Sequence, residues 1–135
     1  MHYNTTPRLH VSAKQVSEAF QSNPVSREIA LSMLLDGVKI EFRRLHQGGN
    51  KGVAMLEEST DVWCITVDNQ LGIDATEEVI WHELVHLHLR RIFNGFVTTQ
   101  HDTDVHSLII DLGKALAQNS PVSYQELMWY CRPHE

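Results

Sequence analysis

The sequence is short of positive charge: 11 Lys and Arg stand against 17 Asp and Glu, for a formal net charge of −6. That balance lacks the broad positive field that non-specific binding to nucleic acid or to an anionic membrane requires, so nucleic acid is disfavoured as a partner. The two local basic pairs, Arg43-Arg44 and Arg90-Arg91, read as the solvated side of a strand and the last turn of a helix, where cations suit the helix dipole. No stretch approaches the ~18 apolar residues of a membrane span, and Met1 to Pro7 shows no basic cap leading into an apolar run. Cysteine is scarce. Cys64 and Cys131 lie far apart and make neither a CxxC pair nor a disulfide framework, and Cys64 falls in an apolar strand pattern that would bury it. Together these absences point to a reducing, cytoplasmic location and no membrane association.

What is present suits one domain spanning residues 1–135, because 135 residues with 42% hydrophobic content can build a single core and not two. Val16, Ala19 and Phe20 predict a short helix from Ser12, broken at Asn23-Pro24. A second helix, capped by Ser26, carries the stripe Ile29, Ala30, Met33 and Leu34 and stops at Asp36-Gly37. Alternation of Val38, Ile40 and Phe42 with Lys39, Glu41 and Arg43 then predicts a half-buried strand, closed by a glycine-rich loop from His46 to Gly52. Two more strands, Val53 to Glu57 and Val62 to Val67, follow on a polar turn around Ser59-Thr60-Asp61. Short loops between sequential strands predict an antiparallel meander.

A long helix is expected from Asp74 or Thr76, as cap, to Phe93, ending at Asn94-Gly95. Its apolar residues surround nearly the whole circumference, as in a buried helix, and yet it carries three histidines and a glutamate. A polar loop, Thr98 to Thr103, leads to a helix with Val105, Leu108, Ile109, Leu112 and Leu116 on one face. A last helix is expected to run to Tyr130, capped by Ser123 with Glu126 at the capping-box position.

The buried helix contains His82-Glu83-Leu84-Val85-His86, an HExxH pattern. Histidines four apart project from one face and can share a metal ion, while Glu83, about 100° round, can reach a water bound to that ion and take its proton. Zinc brings the pKa of such a water to about 7 and polarises a carbonyl, so the pattern points to hydrolysis with Glu83 as general base. A catalytic zinc takes a third protein ligand and leaves one position open. Position 92 is Ile92 and no Glu occurs between Glu83 and Glu126, which leaves His101 and, as the alternative ligand or transition-state donor, His106. His88 points to another side of the helix and suits packing or support of a ligand. Asp102 and Asp104 suit either helix capping or orientation of a ligating imidazole, and Tyr124 and Tyr130 either core packing or oxyanion stabilisation.

From Trp63 to Leu116 the chain resembles the SprT-like zinc metallopeptidases, the family that includes the protease domain of spartan. Ile65-Thr66-Val67-Asp68-Asn69 is similar to the family's strand with Asn near its end, His82 to His86 to its HExxH helix, and His101, fifteen residues after His86, to its third histidine. Gln100, Asp102 and Val105 stand where the family carries glycines and an aromatic, and no CxxC is present for the zinc ribbon of many bacterial members. The resemblance implies an α+β zincin-like fold, a three-stranded antiparallel sheet packed with the HExxH helix and flanking helices. It further implies Zn2+ held by His82, His86 and His101, Glu83 as catalytic base, and a protein or peptide substrate. Such a peptide would add to a sheet edge along Val62 to Val67. Two rival functions use the same residues: a zinc-stabilised, non-catalytic protein-binding module, and a zinc hydrolase acting on something other than a peptide.

Overall fold

The structure is a computed structural model describing residues 8–36, 38–45, 52–57, 62–99 and 102–130. In chain order the elements are β1 (Arg8–Leu9), α1 (Ala13–Ser22), α2 (Arg27–Asp36), β2 (Val38–Arg43), β3 (Gly52–Glu57), β4 (Val62–Asp68), α3 (Ile73–Phe93), β5 (Phe96–Val97), α4 (Thr103–Gln118) and α5 (Tyr124–Tyr130). The fold is mixed α+β, with five helices and a small three-stranded sheet among the described residues. The expected stop at Gly37, the loop from His46 through Lys51, the turn at Ser59-Thr60-Asp61, His101 and Cys131 lie outside them.

Local chemistry sets most helix boundaries. Ser12 opens α1 with a complete capping box: its Oγ accepts from Gln15 N at 3.1 Å and Gln15 Oε1 accepts from Ser12 N at 2.8 Å. Ser26 Oγ accepts from Ile29 N, and Ser123 Oγ from Glu126 N, so α2 and α5 begin where their serines direct. Asn94 closes α3 in the left-handed region, at φ 53°, a conformation Asn tolerates better than most residues. The start of α3 differs from expectation. Neither Asp74 nor Thr76 caps it; Gly72 occupies that position without a side-chain bond, and Thr76 is buried inside the first turns.

The sheet is mixed rather than an antiparallel meander, with order β2-β4-β3. β2 pairs parallel with β4, Val38 opposite Trp63 and Phe42 opposite Val67, while β3 pairs antiparallel with β4. The chain passes from β2 to the far edge before returning through the centre. Trp63, Ile65 and Val67 alternate as the buried face of β4, which an inner strand can bury against more neighbours than an edge strand. A central β4 cannot accept a further strand, so edge addition along Val62 to Val67 is excluded; the edges are β2 and β3. A two-residue parallel pairing of β1 with β5, too short to leave a periodic pattern, ties the N-terminal segment to the residues just after α3.

Two apolar cores lie on either side of α3. On the sheet side Ile80, Trp81, Leu84 and Leu87 pack with Ile65, Val67, Met33 and Leu127; on the other, Val85 and Leu89 pack with Val16, Val105 and Ile109. This explains why α3 is apolar around most of its circumference: it is a middle layer between the sheet and the α1/α4 pair. No helix among the described residues is long and apolar enough to cross a membrane.

Candidate active site

Two cores grip α3 and fix its rotation, so the polar residues emerge along the line between them. His82, Glu83 and His86 are each half-buried there. The Nε2 atoms of His82 and His86 lie 3.2 Å apart, with ring centres 4.8 Å apart and planes at 78°. Two imidazoles bonded to one tetrahedral zinc at about 2.0–2.1 Å have nitrogens about 3.3 Å and ring centres about 5 Å apart. The pair therefore fits two corners of such a site without rearrangement.

Electrostatics favours the same reading. Burial, with the nearness of His82 and His106, pushes His86 down to about 4. Burial first, and His106 second, lowers His82 as well. Both rings are neutral at neutral pH, and no proton has to leave before a cation can bind. Burial acts oppositely on Glu83, raising its carboxyl to about 7. A cation between the histidines would draw that value back down.

The third corner is not closed by the described residues, among which no group of three His, Cys, Asp or Glu could hold a metal ion. His106 lies in the first turns of α4, exposed, with its ring centre 6.5 Å from that of His82. That is more than about 1 Å beyond the separation of two ligands on one ion. It stands beside the pair and lowers both their pKa values without joining them. Asp102, the residue after His101, is the cap of α4: its Oδ1 accepts from Val105 N at 3.1 Å.

His88 is a packing residue. It is only 5% exposed, points away from the pair, donates Nε2–H to Asn23 O at 2.6 Å, and meets Phe20 edge-on at 5.6 Å. Tyr130 packs against the sheet-side core and stacks edge-on with Trp129. Of the basic pairs, Arg43 joins Glu41 on the solvated side of β2, and Arg90 lies over the ring of Phe96 at 5.3 Å. Asn69 sits exposed in the turn after β4, where its side-chain oxygen accepts from Gln70.

Sequence reading alone overlooks Gly113. It is buried in α4 against the backbone of His82 itself, and its signal is a glycine placed where the stripe Val105, Ile109 would continue. In comparisons with known proteins, no family model, curated protein or solved structure matches this chain.

Proposed function

We propose that this chain is a cytoplasmic, zinc-dependent metallopeptidase of the SprT-like zincin type, folded as one domain. The observation that carries the proposal is the convergence of His82 and His86 Nε2 at 3.2 Å on neutral rings beside a raised glutamate. His82, His86 and His101 would hold the metal, with His106 the alternative to His101. When bound, zinc supplies Lewis acidity, which brings the pKa of a coordinated water to about 7 and polarises a carbonyl.

The chain's own residues do the rest. Glu83 is placed to take a proton from the attacking water and to pass it to the leaving amine. Its burial makes it a stronger base than an ordinary carboxylate, because the ionised form is poorly solvated. The core residues Trp81, Leu84 and Val85 keep bulk water from α3 around the pair. An extended peptide would pair with an edge strand, and β3 is the edge that touches α3, with Gly52 against Val79, three residues before His82.

The test is digestion of a mixed peptide library by the zinc-loaded protein, read by mass spectrometry. Cleavage that stops on chelation and returns with zinc is expected; a fully zinc-loaded protein that cleaves nothing would overturn peptidase function.

A further inference from the structure

Gly113 continues the buried stripe of α4, four residues after Ile109 and eight after Val105, at the point where α4 crosses α3. A Cβ there would lie 2.9 Å from His82 Cα, 3.1 Å from its N and 3.3 Å from its Cβ. These are main-chain atoms and the root of the side chain, so no rotamer change can relieve the overlap. Carbon atoms in contact sit about 3.5–4.0 Å apart, so a single methyl would lift α4 from α3 by roughly 0.5–1 Å. Glycine also weakens a helix interior relative to alanine, and α4 nevertheless runs unbroken through it to Gln118. The residue serves close approach at the expense of local helix preference.

Seven residues before Gly113 on the same helix stands His106, whose ring lies 6.5 Å from that of His82. The height of α4 above His82 therefore governs the distance between α4's histidine and the α3 pair. It also governs the placement of Asp102, which caps α4 and follows His101 in the chain. We propose that Gly113 is a positioning residue for the histidine group: it lets α4 rest on the His82 backbone and so holds His106 and the start of α4 at working distance from His82 and His86. The role in metal binding rests on the proposed zinc site, whereas the placement of α4 does not.

The experiment compares full-length wild type, Gly113→Ala, Gly113→Val and Lys114→Ala, the last an exposed neighbour on the same helix. Histidine ring-proton NOEs are recorded without metal, zinc affinity is measured by chelator competition, and far-UV circular dichroism reports the fold. In Gly113→Ala the His82–His106 contact should weaken several-fold while the His82–His86 contact, internal to α3, persists. Zinc affinity should drop roughly 10–100-fold, as when groups supporting ligands are displaced. Gly113→Val should be worse in both, and Lys114→Ala should match wild type. Wild-type ring contacts and affinity in Gly113→Ala would overturn the proposal, and so would its unfolding, which would make Gly113 a residue of the fold alone. If wild type binds no zinc, the metal reading fails, and the ring contacts still decide whether Gly113 sets the position of α4.

Discussion

His88 donates its Nε2–H to the backbone carbonyl of Asn23 across 2.6 Å, joining the end of α1 to the side of α3 turned away from His86. Three histidines on one helix thus divide by side: two face each other, and the third is a buried tie between helices. Replacing His88 by Leu should destabilise the protein by about 1–3 kcal/mol, the usual effect of losing a buried hydrogen bond and its packing. Zinc affinity should stay at the wild-type value. Urea titrations beside zinc titrations check both, and loss of zinc binding in this variant would place His88 in the metal site.

Glu83→Gln preserves shape and removes the base. The turnover number should fall by about 10²–10⁴, the range for loss of a positioned general base, with zinc content and melting temperature nearly unchanged. A zinc-stabilised binding module would tolerate the same change without functional loss, so partner binding and hydrolysis measured side by side separate the two.

Burial gives Glu83 and His86 opposite influences on stability as pH changes. The Glu83 carboxyl rises from 4.5 to about 7 on folding, so its favourable contribution is present below pH 4.5 and is lost as pH rises through about 7. His86 falls from 6.5 to about 4, so its contribution is present above pH 6.5 and is lost as pH falls through about 4. Glu83→Gln removes only the first. In chelator, this variant should gain stability relative to wild type at pH 8 compared with pH 4. Urea unfolding at the two pH values measures the difference, and a pH-independent offset would contradict the assignment.

Gly52 packs so closely on α3 that a Cβ there would overlap Val79 Cγ1. Gly52→Ala should cost about 1–3 kcal/mol, as overpacking does. Adding Val79→Ala should recover most of that, because the two changes act on one contact. Simple additivity of the two in a double-mutant cycle would show that β3 does not rest on Val79.

Much of this architecture is written locally in the sequence. The serines at 12, 26 and 123, and Asn94, mark helix ends through bonds that involve only three or four neighbouring residues. HExxH spacing alone puts His82 and His86 on one face. Strand order is less local, since it depends on which surfaces meet after collapse. The sign was available in composition: Val62–Asp68 is nearly free of charge, whereas Lys39, Glu41 and Arg43 on β2 and Glu57 on β3 belong to outer strands. The β1/β5 pairing and the contact of Gly113 with His82 join residues distant in sequence and leave only short or single-residue traces.

The central claim is that His82 and His86 share a metal ion. Native mass spectrometry of wild type beside His82→Ala, His86→Ala, His101→Ala and His106→Ala tests it most directly. One zinc per wild-type chain, absent from His82→Ala, His86→Ala and His101→Ala and retained in His106→Ala, is the predicted result. A wild-type chain without zinc, or zinc retained in full by both His82→Ala and His86→Ala, would contradict the account.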